Sequence, residues 1–265
     1  MAIREWKRFL IPYEQAVEEL KVKFKSIRRE YRHKNDYSPI EFVTGRVKEI
    51  SSILEKANKF AIPLDRIELE MEDIAGIRIM CQFVDDIDKV VNLIRQRSDM
   101  QIVYEKDYVA NVKGSGYRSY HMIMKYPVNL SDGQREILAE FQIRTLAMNF
   151  WATVEHSLNY KYKHDIPEHI RGKLKNAADA AFQLDQQMLE IKDEIKDAQK
   201  LFEVKSNLVS DIMNNVIMLS SLGKLTDATR YREKLNKLVE EGEGEVFELS
   251  NLLKATQKTL DMYGV

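Results

Sequence analysis

The sequence predicts an α+β protein: a mixed β-sheet of about five strands flanked by helices, with a helical C-terminal extension. Three observations carry this prediction. Apolar residues recur at three- and four-residue steps in the first 33 residues and again from residue 146 onward. Between residues 74 and 144 the pattern changes to short β-rich runs separated by Gly, Asn, Ser and Asp clusters. A single helical stretch interrupts those runs, which is not the regular alternation of a doubly wound sheet.

Residues 3–33 place Trp6, Leu10, Tyr13, Val17, Leu20, Phe24 and Ile27 along one helical face. Lys21, Lys25, Arg28 and Arg32 draw a basic stripe along another, and such a stripe by itself reads as a solvated face. Ser38-Pro39-Ile40-Glu41 has the form of a capping box with proline at the first helical position, predicting a helix from there to about residue 59. Gly45 inside it would cost roughly 1 kcal/mol against alanine. It therefore marks either a close approach by another group or a break between two helices. Ile74–Phe83 reads as the first strand, Asp86–Gln96 as a helix, and Gln101–Val109, Ser119–Tyr126 and Glu136–Arg144 as further strands. Helix resumes over Leu146–Lys161 and from Pro167 to about Phe202.

Residues 1–205 are expected to form one domain and 206–265 a separate helical extension of unassigned role. In the extension, Leu208, Ile212, Val216, Leu219 and Leu222 form an apolar stripe broken at Gly223. Leu225, Leu235 and Leu238 suggest a second helix, with Gly242-Glu243-Gly244 turning into a third.

The 265 residues are 44% hydrophobic, enough to bury a core, which excludes wholesale disorder. Charge is balanced overall, 41 Lys and Arg against 42 Asp and Glu, but residues 1–48 hold 12 basic and 7 acidic side chains. An anionic partner is to be sought there or in a pocket. One cysteine, Cys81, excludes a disulfide framework and multi-cysteine metal sites, and its apolar setting reads as a buried thiol. No stretch approaches the ~20 apolar residues of a membrane span. The N-terminus lacks the apolar core of a signal peptide, so a cytoplasmic location is expected.

The chain contains no GxxxxGK[ST], no GxGxxG and no HExxH. The pair His164-Asp165 is reminiscent of metal-dependent phosphohydrolases, but no matching ligand set accompanies it, and a solvated turn is the simpler reading. The run Glu136–Arg144 is more informative. Ile137, Ala139, Phe141 and Ile143 alternate with Leu138, Glu140, Gln142 and Arg144, so an acid, an amide and a base share one sheet face. An exposed face explains them as simply as a functional cleft does. Asp73, entering the first strand, is either an ordinary solvated loop acid or, with Glu140, able to hold one Mg²⁺, since that ion favours carboxylates and phosphate oxygens. Arg46, Lys48, Lys56 and Lys59 make a cationic set suited to a polyphosphate. The loop from Lys113 to His121 places glycines beside cations and two tyrosines, where a ring could stack on a base or simply belong to a hairpin-like connection. Together these features suggest metal-assisted chemistry on a nucleotide phosphate, without naming donor, acceptor or product.

Five segments stand in order: Phe42-Val43-Thr44-Gly45-Arg46-Val47-Lys48, Asp73-Ile74-Ala75-Gly76-Ile77-Arg78, Gly116-Tyr117-Arg118-Ser119-Tyr120-His121, Glu140-Phe141-Gln142-Ile143-Arg144-Thr145 and Asn149-Phe150-Trp151-Ala152. Over residues 4–203 they resemble the small alarmone synthetases, stand-alone (p)ppGpp synthetases of the RelA/SpoT superfamily, and especially the RelQ-type group. Residues 206–265 exceed the usual chain of that group. The resemblance implies a nucleotidyltransferase-like synthetase domain. It also implies transfer of the β,γ-pyrophosphate of ATP to the ribose 3′-OH of GDP or GTP with release of AMP, the chemistry of the stringent response.

By the same resemblance Asp73 binds Mg²⁺, and Glu140 is the general base and shares the metal. Arg46, Lys48 and Lys56, with Ser52 and Lys59, hold ATP, and Arg78 lies against adenine. Tyr117 stacks on guanine, with Lys113, His121 and Gln142 near the acceptor. The implied assembly is a homotetramer whose central cleft takes a pppGpp effector, at Lys21, Lys25, Arg28, Phe42, Thr44 and Asn149. The hydrolase domain of the larger enzymes is not seen, which implies synthesis without degradation. Two other readings stand beside this one: the same transfer onto the 3′ end of tRNA, with RNA bound by the basic N-terminal helices, and a non-catalytic, nucleotide-regulated binding module.

Overall fold

The fold is taken from a computed structural model, which describes residues 3–162, 166–240 and 245–264. His164-Asp165 and Gly242-Glu243-Gly244 lie outside the described residues. Two compact units divide the chain at 189/190.

In the first unit, α1 (Ile3–His33) is followed by β1 (Phe42–Val47), α2 (Ile50–Lys59), a 3₁₀ turn and the short α3 (Ile67–Glu70). Then come β2 (Ala75–Cys81), α4 (Asp85–Arg95), β3 (Gln101–Asp107), β4 (Tyr120–Leu130), β5 (Gly133–Thr145) and α5 (Leu146–Lys161). The five strands form one sheet in the order β1-β2-β5-β4-β3. Only β2 and β5 run parallel; the remaining pairs are antiparallel. The mixed sheet is the one the sequence predicts.

One face of the sheet is the core. Val43, Ile77, Ile79, Met122, Met124, Ala139, Phe141 and Ile143 are buried together with Tyr13, Val17, Leu20 and Phe24 of α1 and Ile87, Val90, Val91 and Ile94 of α4. The Phe24 and Phe141 rings meet edge to face at 5.4 Å. Burial raises the pKa of the Cys81 thiol far above its ordinary value, as the buried-thiol reading expects.

The predicted helix from Ser38 to residue 59 is corrected: its first half is strand β1. The Ser38 hydroxyl takes the Ile40 N–H at 3.2 Å and starts no helix, and the Glu41 carboxylate accepts from Arg28 at 3.0 Å and Gln82 at 2.9 Å. Phe42–Val47 alternates as a strand should and pairs with β2 over six residues. Pairing and burial override a local capping signal. At Gly45 side chains of α1 crowd against the strand backbone. A Cβ there would meet Val17 at 2.8 Å and Ile77 at 2.9 Å, so the close-approach reading holds and the break between helices does not.

The two predicted helices 167–202 and 208–222 are one, α6 (Glu168–Ser221). Nothing between them breaks a helix, since residues 203–207 contain no Gly or Pro. Both the 189/190 division and the 205/206 boundary expected from the sequence fall inside α6. Gly223, at φ 74°, ends the helix, and the Lys224 N–H returns to the Leu219 carbonyl at 2.9 Å.

The second unit has its own core. Ile212, Val216 and Leu219 of α6 pack with Ala228, Tyr231 and Leu235 of α7 (Leu225–Glu240) and Leu249, Leu252 and Leu260 of α8 (Val246–Met262). Tyr231 satisfies its hydroxyl on Thr259 Oγ1 at 2.7 Å.

Candidate active site

The other face of the same sheet is polar. Strand register sets Arg46 beside Gly76, Gly76 beside Glu140, Arg78 beside Gln142 and Gln142 beside His121. Four neighbouring strands thus present a carboxylate, an amide, an imidazole and guanidinium groups to one surface, because residues paired across strands share a face. Arg144, two residues beyond Gln142 on the same face, is 4% exposed.

Glu140 belongs to a closed ring of hydrogen bonds with His121, Tyr117, Arg144 and Gln142. Its Oε1 accepts from His121 Nδ1 at 2.9 Å and its Oε2 from Gln142 Nε2 at 2.8 Å. A carboxylate can only accept, so the imidazole proton is assigned to Nδ1 and the Tyr117 hydroxyl donates to Nε2 at 2.7 Å. Arg144 in turn donates to the Tyr117 hydroxyl at 2.5 Å and to Gln142 Oε1 at 2.6 Å. Arg78 donates to the same Gln142 oxygen at 3.3 Å. Burial pushes the Glu140 carboxyl up, but the hydrogen bond and electrostatic attraction of His121, helped by the bond from Gln142, outweigh this and leave it below the ordinary range. The negative charge of Asp73 acts on it in the opposite sense.

Asp73 lies in the turn before β2 and gathers two ammonium groups. Lys48 donates to Oδ2 at 2.8 Å, and Lys56 of α2 forms an ion pair at 2.8 Å from Oδ1, off the direction of a hydrogen bond. Burial raises its pKa less than these two lysines lower it, so Asp73 is held ionised. Glu72 beside it accepts from the Tyr104 hydroxyl of β3.

Arg46 and Arg78 complete the cationic side. Burial, then Arg144 and Arg46, lower the pKa of the Arg78 guanidinium, which nonetheless stays protonated. His156 of α5 feels the same charges: burial first, then Arg46 and Arg78, hold its imidazole below the ordinary range. Ser52 is half-buried one turn before Lys56. Lys59 is not brought into this group; it is exposed at the end of α2, with its ammonium 5.8 Å from the Phe60 ring centroid.

The loop between β3 and β4 brings Lys113 over two rings, 4.1 Å from the Tyr108 centroid and 4.8 Å from that of Tyr117. A cavity of about 620 Å³ opens beside this loop, lined by Gly114, Ser115, Trp151, Glu155, Arg171 and Lys175 among others. That volume is in the range of small-molecule sites.

The six residues of the implied effector site divide within one chain. Lys21 pairs with Glu18 at 2.8 Å and lies beside Gly45, and Arg28 pairs with Glu41 at 3.0 Å. Lys25 is exposed on the same helix. Phe42 and Thr44 alternate to the opposite face of β1 from Gly45, and Asn149 is on α5. Sequence reasoning left Arg144 and His156 out of the site. Arg144 carried a signal, as the third polar residue on the Glu140 face; His156 carried none, being one more polar residue of a helix.

Comparison with known proteins joins this geometry to a family. Residues 45–165 match the region found in RelA / SpoT proteins. The GTP pyrophosphokinase YjbM of Bacillus subtilis is 56% identical over 202 residues, 76% of this chain and 95% of that protein. The chain belongs to the RelA/SpoT family. The GTP pyrophosphokinase YwaC of the same organism is 42% identical over 195 residues, 73% of this chain and 93% of that protein.

Solved members of the family share the fold. The B. subtilis small alarmone synthetase 1 bound to its product pppGpp superposes with TM-score 0.71 at 57% identity, covering 72% of this chain and 98% of its own. The same synthetase bound to AMPCPP superposes with TM-score 0.65 at 53% identity, covering 73% and 99%. The family resemblance drawn from the five sequence segments is borne out. Among the described residues no helix is long and apolar enough to cross a membrane, and no group of three or more His, Cys, Asp or Glu side chains is placed to hold a metal.

Proposed function

We propose that the chain is a (p)ppGpp synthetase, moving the β,γ-pyrophosphate of ATP onto the ribose 3′-OH of GDP or GTP. The observation that carries this reading is the pairing of Glu140, held ionised by His121 and Gln142, with Arg46 and Arg78 on the same sheet face and with Lys48 and Lys56 gathered on Asp73 near it. The relatives' activity and their pppGpp- and AMPCPP-bound structures support it.

In this mechanism the 3′-oxygen attacks the β-phosphorus of ATP. The bond from that phosphorus to the α–β bridging oxygen breaks, and AMP leaves. Glu140 accepts the hydroxyl proton as the new P–O bond forms. His121 fixes the carboxylate from behind while Gln142 holds its other oxygen, so the base is oriented before the acceptor arrives. Arg46, Lys48 and Lys56 offset the charge of the triphosphate, and Arg78 offers a planar guanidinium to the adenine ring. Tyr117 stacks on the guanine, which requires Lys113 to swing off that ring, freeing its ammonium for the acceptor's phosphates. The neighbouring cavity gives the base room.

Asp73 and Glu140 suit a magnesium ion. Two ionised carboxylates, with no third His, Cys, Asp or Glu grouped with them among the described residues, match an ion that is usually held by one or two carboxylates and completes its shell with phosphate oxygens and water. Bound there, magnesium supplies positive charge to the transferred phosphoryl oxygens.

The test is turnover with γ-labelled ATP and GDP, GTP, GMP or deacylated tRNA as separate acceptors. Label on GDP or GTP is the expected result. Label on tRNA alone would move the protein to the tRNA-modifying reading, and nucleotide binding without transfer would favour the regulated binding module.

A further inference from the structure

The acceptor loop does not hold its shape through the polar face alone. Arg118, the residue after Tyr117, turns away from that face and into α6. Its Nη1 donates to the Gly116 carbonyl at 3.2 Å and to the Ala178 carbonyl at 3.4 Å, and its Nη2 to Asp179 Oδ1 at 3.1 Å. The guanidinium lies 4.4 Å from the Phe182 ring centroid, and the side chain is 11% exposed.

Gly116 allows this approach. Its φ of 89° lies in the left-handed region, and a Cβ there would sit 2.6 Å from the Ala178 Cβ. Within the loop the Gly116 N–H closes on the Lys113 carbonyl at 2.8 Å. One guanidinium therefore ties together a loop carbonyl, a helix carbonyl, a helix carboxylate and a helix ring. The residues flanking the tie on the loop side are Lys113 and Tyr117. The anchors at 178, 179 and 182 lie beyond residues 45–165, the span matched to the family region.

We propose that Arg118 is a positioning residue for the guanine acceptor: by clamping the Lys113–Tyr117 loop to α6 it fixes the ring that receives the base and the backbone from which the Lys113 ammonium reaches the phosphates. The proposal rests on the acceptor reading given above. The Arg118 side chain bonds to Gly116, Ala178 and Asp179 and to none of Glu140, Asp73, Arg46, Lys48 or Lys56, so its loss reaches the site through Tyr117 and acts on acceptor binding before ATP binding. A fork that reaches two carbonyls and a carboxylate at once is specific to arginine, and lysine can replace only part of it.

The experiment compares Arg118→Ala, Arg118→Lys and Asp179→Asn with the wild type. Steady-state KM is measured for GDP and for ATP, GDP affinity by calorimetry, and amide hydrogen exchange over residues 113–117. The expected result for Arg118→Ala is a KM and a Kd for GDP about tenfold higher, a KM for ATP within about twofold, and faster exchange in the loop. Arg118→Lys falls between alanine and wild type, and Asp179→Asn raises the GDP KM about threefold. Equal rises in both KM values, or unchanged GDP affinity in a folded variant, would overturn the clamp. Should Arg118→Ala fail to fold, Asp179→Asn decides, because Asp179 is half exposed on the helix. A wild type that binds GDP but transfers nothing overturns the proposed activity and leaves the calorimetric comparison to judge Arg118. A wild type that does not bind GDP overturns both.

Discussion

Glu140 and Phe141 are consecutive in β5 and face opposite sides of the sheet. On the Phe141 side, Ala139, Phe141 and Ile143 are fully buried in the apolar core with Tyr13, Val17, Leu20 and Phe24 of α1. On the Glu140 side, Glu140, Gln142 and Arg144 are linked to one another and to His121 and Tyr117 by hydrogen bonds. Polar groups with this little solvent are costly unless paired, and here they are paired into one network. The strand separates two tasks by residue parity: odd positions secure the fold, and even positions carry the proposed chemistry. Changes on one side should therefore act on stability and changes on the other on rate.

Glu140→Gln should have the largest effect. It keeps the shape and loses both the proton acceptor and one of the two carboxylates offered to magnesium, so kcat should fall by at least about 10²–10⁴-fold, the usual contribution of a general base. Nucleotide affinity and melting temperature should change little, as calorimetry and thermal unfolding would show. A comparable loss of stability would mean the polar face is structural. Phe141→Ala is the converse: about 3–5 kcal/mol of stability lost in denaturant unfolding. The folded fraction should keep most of its turnover per molecule. If its kcat collapsed as far as that of Glu140→Gln, the division by parity would fail.

A third variant tests the corner where β5 becomes α5. Asp185 of α6 is buried there and accepts from Thr145 Oγ1 at 2.6 Å. Burial pushes its pKa up to about 6, against the Thr145 bond and the Arg118 charge that act downward. A carboxyl raised on folding favours the native state when protonated. That contribution is complete below the unfolded value near 3.9 and is lost as pH rises through about 6. Asp185→Asn should therefore raise the melting temperature by a few degrees at pH 7.5 and leave it nearly unchanged at pH 4. An equal shift at both pH values would show that the ionised carboxylate carries no cost.

The sheet was legible in the sequence wherever its strands alternate over several residues, as β2 and β5 do, and the even positions of β5 stood out as a polar row that a site or an exposed face explained equally well. β1 was not legible. Ser38-Pro39-Ile40-Glu41 has the local form of a helix start, while the reason it is a strand, pairing with β2 and packing of α1 on Gly45, is tertiary. The continuity of α6 was hidden for a related cause: its apolar stripe changes partners along its length, which reads as two helices. In the site, residue types and order were enough to single out Asp73, Glu140, Lys48 and Lys56. The His121–Tyr117–Arg144 chain was not, because it joins β4, β5 and a loop at distances that only the register fixes.

The most direct test of the central claim is the stoichiometry of a single turnover. Protein in excess over γ-labelled ATP, with GDP and magnesium present, should give one AMP for each labelled guanine nucleotide. Label released as inorganic phosphate with ADP, or AMP formed without label on the acceptor, would contradict pyrophosphoryl transfer on the Glu140 face.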